Sequence, residues 1–134
     1  MKYIEPLSVV ILDGRAFKAD RVRKQLFGGF CKCGGRMVQK AWVGESILIS
    51  ECEKCWRTEA FRFNGRRLVE RREVEVVSKR NVKDFLSDVL TPTEFDAVMD
   101  RAKGRQYNYG AFSRARRKLE NMGLNVEELL TLLA

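Results

Sequence analysis

Four cysteines, Cys31, Cys33, Cys52 and Cys55, restrict what this chain can fold into more than any other feature. They fall in two close pairs, Cys31-Lys32-Cys33-Gly34-Gly35 and Cys52-Glu53-Lys54-Cys55, with 18 residues between Cys33 and Cys52. Two such pairs suit a tetrahedral metal site, each pair on a tight turn whose backbone N–H groups can point at sulfur. Gly34-Gly35 lets the chain fold back beneath the ion with no Cβ in the way. The alternatives are two disulfides, unpaired buried cysteines, or an iron site. The first residues carry Glu5-Pro6 and no small-residue cleavage pattern, so they do not read as an export signal. A cytoplasmic setting is therefore expected, where clustered cysteines are metal ligands more often than disulfides.

The spacing resembles the zinc ribbon, a superfamily shared by general transcription factors, RNA polymerase subunits, elongation factors and several ribosomal proteins. The resemblance covers about residues 30–77. It implies one structural Zn²⁺ on the four thiolates, with no open position for a catalytic water. The chain departs from the common pattern in two ways. The first pair is Cys-x-Cys, and Trp56 follows the second pair where the superfamily often has glycine. Trp56 is expected to cover the site as part of the core. So small a sheet lacks a core of its own, and metal removal is expected to unfold it.

Lys and Arg number 26 against 18 Asp and Glu, a net +8. Four thiolates and one Zn²⁺ would lower this to about +6, still basic enough to suit an anionic partner. A plain solubility charge is the alternative. Histidine is absent, which excludes Ser-His-Asp and Cys-His mechanisms and the usual base near neutral pH. No apolar run approaches the roughly 18 residues of a membrane span.

The chain reads as α+β: a small antiparallel zinc-ribbon sheet followed by a C-terminal helical bundle. Three segments are expected. Residues 1–29 hold a strand at 8–12, a turn at Asp13-Gly14, and a basic helix at 19–27 that Gly28-Gly29 ends. Residues 30–77 hold a hairpin of strands 37–43 and 46–51, then a second of strands 57–63 and 66–77 turning at Asn64-Gly65. Residues 78–134 are helical. Thr91, Pro92 and Glu94 make an N-terminal capping box, Gly123 stops the helix from Tyr109, and Asn125 caps the last one.

Arg101 to Lys118 contains seven Lys and Arg residues and no acid. The candidate nucleic-acid contacts there are Arg101, Lys103, Arg105, Tyr107, Tyr109, Arg114, Arg117 and Lys118. On the helix from Tyr109, Phe112, Ala115, Leu119 and Met122 share one face, while Arg114, Arg117 and Lys118 take the other. An exposed arginine face can track phosphates or enter a groove, and the tyrosines can stack on bases. The two helices loosely resemble a helix-turn-helix, although residues 104–108 make a long connection. A packing bundle with a solvated basic face, or a helix that docks on protein or RNA, fits the same pattern. Arg62, Arg66 and Arg67 form a second patch on the 57–72 hairpin. A two-residue Asn64-Gly65 loop would set Arg62 opposite Arg67, a repulsion that a bound polyanion would relieve. Neutralisation by Glu70, Glu73 and Glu75 is the plainer account. Arg21, Arg23 and Lys24 are a third candidate.

The expected function is non-catalytic nucleic-acid binding, with DNA favoured over RNA and a transcription or translation complex as the setting. No small-molecule substrate and no membrane are expected. An RNA-binding or ribosome-associated protein and a protein-interaction adaptor of a polymerase-type complex are the alternatives. The hairpin tip at Gly44-Glu45 lacks the adjacent acids of zinc ribbons that stimulate RNA cleavage, so that activity is not carried over.

Overall fold

The computed structural model describes all 134 residues. Its class is α+β, as expected: ten strands in two sheets, then four helices. Val9, Val10, Ile11 and Leu12 form β2 (Val9–Leu12), as their β-branched content dictates. Asp13 and Gly14 both take positive φ, 51° and 75°, which is the hairpin turn that returns the chain as β3 (Arg15–Lys18). A strand absent from the sequence reading, β1 (Lys2–Ile4), pairs antiparallel with β2. It also pairs in parallel with β10 (Glu75–Val77), giving the sheet order β10-β1-β2-β3.

The second sheet runs β4 (Asp20–Arg21), β6 (Arg36–Val43), β7 (Ile47–Cys52), β8 (Thr58–Asn64), β9 (Arg67–Glu73), with β5 (Phe27–Phe30) also on β6. The hairpin expected around Gly44-Glu45 is the β6–β7 pair. Period-two alternation assigns the faces. Tyr3 and Val10 meet Ala41, Ile47, Ile49 and Ala60 in a core between the two sheets. Ala19 and Val74 are buried in that core next to the points where the chain switches sheets. On the opposite side of the first sheet, Ile4, Val9 and Ile11 face the helices. On the opposite side of the second, Leu48, Cys52 and Phe61 join Met37 and Cys31 in a smaller cluster. Residues 1–29 are thus divided between both sheets.

Two expectations are corrected. No helix forms over residues 19–27. Asp20 and Arg21 pair with Trp42 and Ala41 of β6, Val22 N–H donates to Lys40 O, and Gln39 N–H donates to Leu26 O. Those backbone partners outweigh the local helical spacing of Val22, Leu26 and Phe27. Gly28-Gly29 is strand rather than helix stop. A Cβ on Gly28 would lie 2.9 Å from Gln39 N and 2.5 Å from Ser50 Oγ, so only glycine lets β5 approach this closely.

The second correction concerns the β8–β9 register. The turn residues are Gly65-Arg66, with Asn64 opposite Arg67 and Phe63 opposite Leu68. A bulge at the next step sets Arg62 opposite Glu70. The Arg62–Arg67 repulsion does not arise.

The helical domain follows the sequence closely. Its helices are α1 (Val82–Val89), α2 (Pro92–Ala102), α3 (Tyr109–Met122) and α4 (Val126–Leu133). Thr91 Oγ1 accepts from Glu94 N–H while Glu94 Oε1 accepts from Thr91 N–H, the expected box. Asn108 and Asn125 cap α3 and α4, and Gly123 ends α3 at φ 93°. α4 packs on both α2 and α3, so the pair α2–α3 is part of a four-helix unit. Twenty buried residues, Leu86, Leu119 and Leu129 among the most enclosed, hold this unit to the first sheet. No helix is long and apolar enough to cross a membrane.

Candidate metal centre and basic surfaces

The two cysteine pairs meet because β6 and β7 are partners. Met37, near the start of β6, lies opposite Cys52, the last residue of β7. The first turn closes with Cys31 N–H donating to Gly35 O and Gly34 N–H to Cys31 O. Glu53 N–H donates to Arg36 O and links the second turn to the first. All four Sγ atoms lie within 4.8 Å of one another, and the pairs Cys31–Cys55 and Cys33–Cys52 stand at 3.5 Å. Metal–sulfur bonds of 2.3 Å in a tetrahedron put sulfurs about 3.8 Å apart, so the donors fit one ion. A disulfide needs about 2.05 Å, and all four cysteines are free.

Backbone donors surround the sulfurs. Gly35 N–H points at Cys33 Sγ at 3.3 Å, and Lys54 and Cys55 N–H point at Cys52 Sγ at 3.3 and 3.4 Å. The Cys55 N–H, helped by Lys54 N–H and opposed by burial, draws the Cys52 thiol down from 9.0 to about 6. Cys55 goes the other way. Its Arg57 N–H contact lowers it, but the Cys31 thiol, burial and the other two sulfurs together push it up to about 12. Adjacent thiolates repel, so the last proton leaves readily only when a cation takes the centre. A Cβ on Gly35 would sit 2.7 Å from Cys52 Sγ and 2.7 Å from Lys54 Cβ, so glycine is required here by space.

Trp56 does not cover the site. It is 68% exposed and adopts φ 65°, a backbone conformation that bulky residues rarely take. The turn that closes the second cysteine pair takes this conformation, which a glycine would adopt without strain. Lys32, Arg36 and Lys54 stand exposed around the ligands, as expected. Arg57 instead turns to carboxylates, 3.6 Å from Glu59 and 3.3 Å from Glu73. Glu59 is only 2% exposed and is also bonded by Arg71 at 2.5 Å.

The structure sorts the candidate nucleic-acid contacts by whether an acid already holds them. Arg62 pairs with Glu70 at 3.0 Å and Arg105 with Asp100 at 3.4 Å. Lys118 reaches Glu94 at 2.6 Å and Arg114 approaches it at 3.8 Å. Glu94 is 2% exposed, and the Lys118 ammonium, with Thr91 N–H, holds its carboxyl below the usual range despite burial. Lys118 is therefore a bond between α2 and α3 as well as a surface charge. Arg66, Arg67, Arg101, Lys103 and Arg117 are exposed and have no carboxylate within 4.0 Å. Tyr107 packs edge-on between Tyr109 and Phe112, with the Arg101 guanidinium 5.7 Å from its ring centre. Tyr109 is 74% exposed. Of the third candidate group, Arg21 donates to Glu5 O and Pro6 O.

One feature escaped sequence reasoning. Beside the cysteine cluster, Phe27 and Phe30 of β5, Trp42 of β6 and Phe61 and Phe63 of β8 line a single cleft of about 520 Å³. Phe27 and Phe30 form an edge-on pair at 5.1 Å, and Trp42 and Phe63 lie 5.9 Å apart. The only local signal was the Phe-Gly-Gly-Phe run before Cys31, which reads equally as a helix end.

Residues 1–76 match the AF0631-like N-terminal beta-barrel domain, and residues 79–132 match the AF0631-like C-terminal four-helix domain. The chain is 39% identical over 133 residues to an uncharacterized protein of Archaeoglobus fulgidus, covering 97% of this chain and 96% of that one. No solved structure matches. The matched domains meet at residues 77–78, between β10 and the first helical turn.

Proposed function

The chain belongs to the AF0631-like family, and for this member of it we propose non-catalytic nucleic-acid binding, on a sheet stapled by one structural Zn²⁺ in a zinc-ribbon arrangement. Four thiolates on two turns with N–H···S bonds suit Zn²⁺ and an iron ion alike; we choose zinc on the resemblance to the zinc ribbon, and its role would be to cross-link β6 and β7. Four sulfurs fill the coordination sphere, so the ion supplies stability rather than chemistry.

The observation that carries the binding reading is that, of the nine candidate Lys and Arg contacts, five are exposed with no acid partner: Arg66, Arg67, Arg101, Lys103 and Arg117. Internal pairing engages the other four candidates, Arg62, Arg105, Arg114 and Lys118. Phosphates are the natural counter-charge for the unpaired set, and Tyr109 adds an exposed ring beside it. DNA is favoured over RNA because the helical cations project from a packed helix, the element that fits a major groove.

A salt-series titration of the zinc-loaded protein against duplex DNA, with structured RNA as competitor, tests this. If about five phosphates are neutralised, the logarithmic salt slope is near −4.5. Displacement by RNA would move the partner to that class. Absence of binding to either, at any salt, would sink the reading and favour a protein partner.

A further inference from the structure

We infer that the aromatic cleft beside the cysteine cluster is a stacking site for unpaired bases of a single-stranded nucleic acid. This rests on the nucleic-acid reading above but concerns a different surface. Phe30 is 64% exposed and Phe27 is 48% exposed, although Gly28 between them and Cys31 after them are buried. Burial of apolar area drives folding, so two adjacent rings left in water on a rigid strand mark a surface kept open for something else. The strand that carries the rings is held close to the sheet. Gly28 and Gly29 lie directly against Gln39 and Phe61, which ties β5 to the sheet.

The charge around the cleft selects the occupant. No carboxylate lines it; the one ionised side chain that does, Arg71, is itself held by Glu59 and by Phe30 O, so the free cation nearest the rings is Arg36. The Arg71 guanidinium lies 4.6 Å from the Phe61 ring centre, and that of Arg36 lies 5.8 Å from that of Phe27. The unpaired Arg67 adjoins Leu68 on the rim. Aromatic faces interleaved with guanidinium groups suit a chain that alternates flat bases with phosphates. An apolar protein segment would gain nothing from those cations. Duplex bases are already stacked on each other, so only a single strand offers free faces to these rings.

The test measures binding of a labelled oligo-dT and an oligo-U of equal length, against a duplex, by wild type and by Phe27→Ala/Phe30→Ala, Phe30→Leu and Phe30→Tyr. Metal content and the melting curve serve as fold controls, since both side chains are exposed. Stacking contributes about 1–3 kcal/mol per base, so the double variant should lose roughly tenfold or more in single-strand affinity. Its duplex affinity and salt slope should stay as in wild type. Phe30→Tyr should bind like wild type and Phe30→Leu like an alanine variant. Full affinity in Phe30→Leu would overturn stacking in favour of plain apolar burial, the signature of a protein segment. Wild-type single-strand affinity in the double variant would overturn the cleft while leaving duplex binding, and hence the broader reading, intact. If wild type binds neither strand nor duplex, both fail together. The relative loss on oligo-dT and oligo-U tells which backbone the cleft prefers.

Discussion

The outer face of the second sheet and the helical domain solve the same problem with opposite means. Around the cysteines only five buried residues, two of them ligands, form the local cluster. The helices and the first sheet bury twenty. On the function proposed above, the first region depends on an ion to hold two turns together, while the second relies on contact area. The contrast explains where exposed aromatic and basic side chains can be tolerated. A cross-linked turn stays folded without burying its neighbours, so Phe30 and Trp56 can remain in water on either side of it.

The sharpest way to break the comparison is to remove the metal. Chelation, or Cys52→Ser, should open residues 31–56, because structural zinc sites contribute about 10–16 kcal/mol in small domains. Amide exchange should show that segment losing protection while residues 82–133 keep theirs. Simultaneous loss in both would mean that the two regions form one cooperative unit. The complementary change is Leu119→Ala, at a fully buried position of α3. A loss of about 3–5 kcal/mol is expected, read by denaturant unfolding, with metal affinity unchanged. A weakened metal site in that variant would break the division from the other side.

The smallest effect concerns acid. Glu94 has a folded-state affinity for protons below that of an unfolded carboxyl. Between the two values the unfolded chain binds more protons, so stability rises with pH there. The contribution is fully present above the ordinary carboxylate range and is lost as pH falls through the folded value. Glu94→Gln keeps an acceptor for Thr91 N–H but loses the charge toward Lys118. It should cost about 2 kcal/mol at neutral pH and progressively less in acid, measured as melting temperature against pH. A pH-independent difference would show that the pair is only a spacer.

The parts of this architecture legible in the sequence are the local ones. Thr91 to Glu94, Asn125, Gly123 and the two cysteine turns are each complete within a few residues, so their physics is visible without a partner. What stayed hidden depends on neighbours far along the chain. Residues 19–27 have helical spacing but find backbone partners on β6. The bulge between Phe63 and Arg62 is one residue long, yet it changes every cross-strand neighbour beyond it. Asp13-Gly14 after β2 was a sufficient signal for β3, and only the polar sequence of Arg15–Lys18 obscured it. The aromatic cleft draws on five strands, and no window of sequence contains it.

The parallel pairing of β1 with β10 fixes an order of events during synthesis. Lys2 to Ile4 leave the ribosome 73 positions ahead of their partners Glu75 to Val77. At about 5–20 residues per second, that is a wait of roughly 4–15 s. Through that interval Ile4, Val9 and Ile11 present an apolar face with nothing to cover it, since the helices that seat there are not yet made. That face stays open until the helices fold onto it. The C-terminal domain is the lid over that face, and a chain cut short near residue 76 would leave Ile4, Val9 and Ile11 in water.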